Sequence, residues 1–298
     1  MSPYLKRYWP YYFMLALPIA YFLIFRYGPI VGNVLAFRRY VPGGSMYGEE
    51  WVGLRYFRMF WHDPSFWAAF QNSLVLSVLN LAITFTLPII FALLLNEILS
   101  KKIKTVIQTI SYFPNFVAVV VVVGILKEIL SPTTGVFNQL LGQLGIDPIF
   151  FVNEPAWFRA IYIGSDIWQF MGWNAIIYTA ALASVDQQLY EAAEMDGAGR
   201  WRQTFSVTIP QILPTISVVL IISLGSMLTL GFEKVLLLYT PSNSSTSDII
   251  DTFVFRMGLQ NNNYSYATAV GLFGGLIGLM LVSAGNYISR KISGFSLY

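Results

Sequence analysis

The apolar stretch SDIWQFMGWNAIIYTAAL, residues 165–182, carries one carboxylate and two amides, Asp166, Gln169 and Asn174, among the rings of Trp168, Trp173 and Tyr178. Polar groups of this kind are expensive beside lipid and normally face a protein interior or a wet cavity. Amides and carboxylates pair with hydroxyls, and flat aromatic faces stack on the C–H faces of a sugar ring. The mixture fits a carbohydrate better than an ion. A plainer reading stays open beside it, because Asn and Gln also hold membrane helices together and Trp and Tyr populate interface belts. Glu233 and Lys234 offer a further lining element or, more plainly, a local ion pair.

A second polar stretch follows, EAAEMDGAGRWRQTFSVTIP at 191–210, set between apolar runs. About twenty charged and polar residues are costly to keep in lipid, so the stretch reads as a cytoplasmic knob that another protein grips. Glu191, Ala192 and Ala193 begin a short helix on which small alanines allow close approach. Gly197 ends that helix, since glycine enters the left-handed region without strain. A second short helix, Arg200 to Ser206, follows. Pro210 then opens the next membrane span, where proline is tolerated in a first turn. Any cytoplasmic loop can contain a helix, a glycine and a helix, and that reading also remains open.

Catalytic and metal chemistry find no support. The chain has no cysteine and a single histidine, His62, which excludes disulfides, thiolate sites and multi-histidine metal sites. His62 adjoins Asp63 but has no nucleophile pattern near it, and adjacent loop residues of this kind are usually solvated. An intramembrane enzyme would need a constellation that is not present. No GxxxxGK[ST] phosphate loop occurs either.

The elements that must position these residues are helices in a membrane. Of 298 residues 56% are hydrophobic and 11% charged, with a mean hydropathy of +0.59, against roughly 25% charged in soluble domains. The fold class is all-α, a polytopic membrane protein read as one domain over 1–298. A spanning helix needs about twenty apolar residues, and six candidates lie at about 11–33, 68–95, 105–129, 158–183, 211–232 and 265–288. Lys6 and Arg7 precede the first, but no small-residue cleavage pattern follows, so it reads as a retained helix. Six spans place both termini on one side, together with the clusters Lys101, Lys102 and Lys104, Arg200 and Arg202, and Arg290 and Lys291. The 18 basic residues divide evenly between the two sides, but the tight clusters next to helix ends all share the side of the knob, which the positive-inside rule makes cytoplasmic. A net charge of +3 is too small to suggest nucleic acid. The outer connections 34–67, 130–157 and 233–264 interleave aromatic and apolar residues and read as ordered caps, with a short amphipathic helix near VFNQLLGQLG. Pro88 in the second span predicts a bend supported by Thr84. In the last span Gly271 and Gly275, and Gly274 and Gly278, share faces that favour close helix packing.

Glu191-Ala192-Ala193, three residues, Gly197, nine residues, then Val207-x-Ile209-Pro210 resembles the EAA loop of permease subunits in binding-protein-dependent ABC importers. Val207 and Ile209 stand where that pattern prefers Ile and Leu. EAAxxDGA, with Asp196 before Gly197, resembles the carbohydrate-uptake branch. The segment SDIWQFMGWNAIIYTAALASVDQQLYEAA and the ending YSYATAVGLF…SRKISGFSLY are similar to the polysaccharide-fragment permeases of the LplB/AlgM type. The resemblance runs over nearly the whole chain. It implies the MetI/MalF-like fold of type I importers and a coupling loop at 186–210, with Glu191, Ala192, Ala193, Asp196, Gly197 and Pro210 engaging a cytoplasmic ABC ATPase dimer. It implies a second homologous permease subunit, an extracytoplasmic solute-binding protein, ATP and Mg used on the ATPase with no cofactor bound by this chain, and a bacterial cytoplasmic membrane. Two alternatives remain: a permease for another solute such as a peptide or amino acid, and an ion-coupled secondary transporter. The latter would use Asp166 as its carboxylate but leaves the EAA loop without a role and shows no clear repeat.

Overall fold

The computed structural model describes residues 3–228 and 230–293; the closing GFSLY of the family resemblance lies outside them. The described chain is helical apart from a two-stranded antiparallel ribbon, β1 (Arg38–Arg39) and β2 (Glu50–Trp51). In chain order the helices are α1 (Pro3–Phe22), α2 (Arg55–Trp61), α3 (Pro64–Asn96), α4 (Lys101–Tyr112), α5 (Val119–Ile129), α6 (Val136–Gln143), α7 (Pro155–Ala183), α8 (Gln187–Met195), α9 (Arg200–Gln203), α10 (Ile209–Gly225), α11 (Phe232–Leu238), α12 (Ser244–Ser247), α13 (Ile250–Phe255) and α14 (Tyr264–Ser293).

Among the described residues four helices are long and apolar enough to cross a membrane: Arg7–Phe37, Pro64–Asn96, Arg200–Gly225 and Tyr264–Tyr287. The expected third span, 105–129, is instead two helices, Lys101–Phe116 and Val119–Ile129, bent by 100° at a short break. A tight turn over Phe113–Phe116 with Pro114 in it closes the first, and Ala118 accepts from the N–H groups of Val121 and Val122 to start the second. Backbone freed in this way must find partners inside the protein. Gln169 supplies one, its Nε2 donating to the Val117 carbonyl at 3.0 Å. The expected fourth span is α7, which is 29 residues long but too polar to count as a span by composition, because it carries the groups of interest here.

Packing divides the chain into two units, Met1–Phe66 with Phe253–Phe273, and Trp67–Thr252 with Gly274–Tyr298. The first holds the ribbon and an aromatic cluster of Phe60, Phe66, Phe253 and Phe273. His62 and Asp63 do not pair there: His62 Nδ1–H donates to the Arg58 carbonyl at 2.8 Å, while Asp63 accepts from the Ser65 N–H and from the Tyr266 hydroxyl. The second unit has two buried apolar clusters. One gathers Leu76, Val123, Phe158, Tyr162, Val235 and Leu238, the other Ala92, Ala175, Tyr178, Leu182 and Ile212. Gly172 lets α7 meet α4 closely, since a Cβ there would collide with the backbone of Ser111.

The last-span glycines do not make the close packing expected of them within this chain. A Cβ at Gly271, Gly275 or Gly278 would meet nothing, and at Gly274 only Ile250 at 3.9 Å. The tight approach of α10 to α14 lies further along, where Gly225 faces Val282 and Gly285 faces Leu224. Pro88 lies within a helix that runs unbroken from Pro64 to Asn96, and Thr84 donates to the Asn80 carbonyl at 2.7 Å.

Candidate functional site

A cavity of about 980 Å³ opens between the two apolar clusters of the second unit, walled by α3, α7, α10 and α11. It falls at the upper end of the range for small-molecule sites, about 300–1,000 Å³. One helical face of α7 lines it through Tyr162, Asp166, Phe170, Trp173, Asn174 and Tyr178. These positions recur every three or four residues, as one face of a helix requires. Of the residues named from sequence, Asp166, Trp173, Asn174 and Tyr178 are therefore brought together. Trp168 is two positions from Asp166, on the far side of the helix, and stands 52% exposed outside the cavity wall. Gln169 is buried behind the wall rather than in it.

The charge in the wall is closed on itself. Lys234 Nζ lies 2.5 Å from Asp166 Oδ1 and 3.0 Å from Gln169 Oε1, with the faces of Tyr162 and Phe170 at 5.8 and 5.2 Å. The expected local pairing with Glu233 is not made. The partner of Lys234 is 68 positions away along the chain, because a buried ammonium takes the best-enclosed carboxylate and not the nearest in sequence. The segment between α10 and α14 that carries Lys234 is pinned by side chains bonding backbone. Tyr162 accepts from the Gly231 N–H at 3.1 Å, buried Asn243 donates to the carbonyls of Val152 and Leu238, Thr246 donates to that of Pro155, and Asn72 to those of Ser245 and Asp248.

The stretch 186–210 is built differently. Asp186 caps α8, its carboxylate accepting from the Gln188 N–H at 3.0 Å. Helix α8 thus starts four residues before Glu191, and Glu191, Ala192 and Ala193 lie in its second half instead of opening it. Gly197 has φ of +75°. Its N–H donates to Glu194 and that of Ala198 to Ala193, both at 2.9 Å, which is the double-bonded left-handed helix ending that favours glycine. Asp196 is the residue just before the turn and is exposed. The second short helix expected at Arg200–Ser206 is not separate. It runs on as one helix of 26 residues, Arg200–Gly225, roughly 40 Å long at 1.5 Å per residue. Pro210 sits inside this helix and does not open it. A single wide turn over Thr204–Thr208 precedes it, absorbing the donor that proline lacks. Tyr190 and Thr208 are bonded at 2.9 Å, and Gln203 donates to the Ala198 carbonyl at 2.9 Å, so α8 and the long helix are braced across the bend. The knob leaves large apolar groups in the open: Met195 is 88% and Trp201 77% exposed, and Trp201 stacks on Phe205.

Residues 84–294, which include most of the cavity wall and the whole knob, match the family model for the binding-protein-dependent transport system inner membrane component. The chain belongs to that family. This permease is 43% identical to the protein LplB of Bacillus subtilis over 96% of the chain and 90% of that protein. It is also 43% identical, over 97% of the chain and 90% of the relative, to a polygalacturonan/rhamnogalacturonan transport system permease of the same bacterium. Its fold matches a crystal structure of a bacterial ABC transporter involved in the import of the acidic polysaccharide alginate, with a TM-score of 0.91, 42% identity and coverage of 97% of this chain and 98% of that one. The same likeness holds for an alginate transporter solved with a pentasaccharide-bound periplasmic protein, at 41% identity and a TM-score of 0.91. The permease is thus a multi-pass membrane protein of the carbohydrate ABC importers.

Proposed function

We propose that this permease carries an oligosaccharide, handed over by an extracytoplasmic binding protein, through the cavity between α3, α7, α10 and α11. ATP and Mg are used on a separate cytoplasmic ATPase dimer. A second homologous permease completes the pathway. Helix α7, enclosed by protein on its polar face, serves as a span alongside the apolar helices and the bent pair, for six in all. The knob and both termini face the cytoplasm of a bacterial cell.

One observation carries the reading. The two helices that flank the knob are themselves cavity walls. Asn174 and Tyr178 on α7 and Val219, Ile222 and Ser223 on α10 all line the cavity, while the knob between them is held rigid by the Gly197 turn and the Tyr190–Thr208 bond. A force on the exposed face of the knob therefore moves two walls together. Closure of an ATPase dimer against two such knobs, one from each permease, converts nucleotide binding into a change of access. The relatives named for alginate, polygalacturonan and rhamnogalacturonan support a saccharide cargo.

The test is uptake by the assembled transporter in proteoliposomes with its binding protein. Saccharide uptake that needs internal ATP and stops with vanadate is the expected result. Uptake that collapses with an ionophore while ATP is present would instead assign an ion-driven carrier and remove the coupling role of the knob.

A further inference from the structure

The middle of α3 also walls the cavity, where Ser77, Asn80 and Thr84 follow one another at helical spacing and all line the lumen. Thr84 is spent on its own helix, donating to the Asn80 carbonyl. Ser77 is not spent, and Asn80 is spent only in part, its side chain hydrogen-bonding the Asp166 carboxylate. Ser77 is 1% exposed and its Oγ has no partner, and the Oδ1 of Asn80 is equally enclosed and unpaired. A buried polar atom left unpaired costs about 1–3 kcal/mol, and native proteins nearly always satisfy such atoms. Two of them three residues apart, on one face, beside a lumen with room for a ligand, describe a surface prepared for hydroxyl groups.

The charged part of the same wall cannot take that role. Lys234 is 3% exposed and already meets Asp166, Gln169 and two aromatic faces. No cation is therefore free in the cavity wall for a carboxylate on the cargo.

Resting on the reading of the cavity as a saccharide route, we propose that Ser77 and Asn80 form a subsite for the hydroxyls of one sugar ring, with Phe170 and Trp173 of the same cavity supplying the flat faces. The subsite reads hydroxyl arrangement and is indifferent to the acid group of a uronate. Its ligand class is the polyhydroxylated pyranose, neutral or acidic.

The experiment uses the complete transporter with its binding protein in proteoliposomes and two probes of equal charge, short oligomers of galacturonate and of mannuronate, which differ in the configuration of the C2 hydroxyl and in the geometry of the linkage. Ser77→Ala and Asn80→Leu are expected to lower uptake of the preferred probe about tenfold, the loss of one well-made hydrogen bond, and to narrow the difference between the two probes. Ser77→Thr, which keeps the hydroxyl, restores both. Subunit assembly and ATPase activity without saccharide stay at wild-type values in the Ser77 variants, which touch no member of the buried Lys234–Asp166 pair. Equal losses for both probes, or none, overturn the subsite while leaving saccharide import in place. A wild-type transporter that takes up neither probe nor any other saccharide overturns the import reading and the subsite with it.

Discussion

Two ion pairs in this chain have the same chemistry and opposite settings. Lys234 and Asp166 meet at 2.5 Å with side chains 3% and 9% exposed, whereas Arg200 and Glu97 meet at 3.7 Å with side chains 74% and 49% exposed. The first ties α11 to α7 at the cavity. The second joins the start of the long helix to the residue just past the C-terminal end of α3. In a low-dielectric wall neither charge tolerates the loss of the other, so the first pair fixes architecture. At an exposed pair solvent screens the attraction to roughly 0–1 kcal/mol, so charge at the knob does little for the fold. The distribution of apolar groups inverts in parallel. Around Lys234 they are buried, and around Arg200 they stand in the open as Met195, Trp201 and Phe205. The cavity wall encloses its apolar groups, and the knob leaves them open.

Breaking the buried pair has the largest expected effect. Lys234→Met leaves the Asp166 carboxylate enclosed without a counter-charge, a change that costs about 3–5 kcal/mol at buried pairs. Lys234→Met with Asp166→Asn recovers most of it. Thermal unfolding in detergent checks both, and a single variant as stable as the wild type would end the architectural role of the pair. At the knob, Gly197→Pro and Glu191→Lys leave unfolding of the membrane part near wild type and abolish copurification of the ATPase. Gly197 needs a positive φ that proline's ring forbids, and Glu191 is exposed on α8. Retained ATPase with normal transport would sink the docking role. Inside the cavity, Trp173→Ala and Asn174→Ala lower saccharide-stimulated ATPase activity several-fold, on the order of the 1–1.5 kcal/mol of one contact, with assembly intact. Unchanged stimulation and transport in both variants would take α7 out of the route.

The smallest effect concerns Asp251 in α13, whose carboxyl is pushed above its ordinary value by burial. Its neutral form is the one the fold favours. The stability it contributes is complete below the unfolded value, near 3.9, and is lost as pH rises through the folded value. Asp251→Asn therefore gains on the wild type at neutral pH, and the gain shrinks toward pH 4. Unfolding midpoints across that window check the sign.

The sequence was informative where a property is local. Gly197 could be read from its spacing because one residue type suits a left-handed turn, and the polar face of α7 could be read because Asp166 and Asn174 have few other uses in an apolar helix. It was silent where partners are distant. Nothing near Lys234 points to Asp166, and Ser77 and Asn80 look ordinary until the unpaired Ser77 Oγ and Asn80 Oδ1 are seen. The bend at Val117–Ala118 hides in a run of valines, with Pro114 as the one signal. Pro210 misled in the other direction: it reads as a boundary, yet the wide turn before it lets one helix pass from the knob into the cavity wall.

That continuity makes the knob the point on which the account turns, and the absence of cysteine from the chain makes it directly measurable. Ala192→Cys introduces a single thiol on the exposed face of α8, to be challenged with a membrane-impermeant thiol reagent on either side of sealed vesicles. The expected result is labelling from the cytoplasmic side alone, suppressed when the ATPase is bound. Labelling from the outer side, or labelling that the ATPase leaves unchanged, would contradict it.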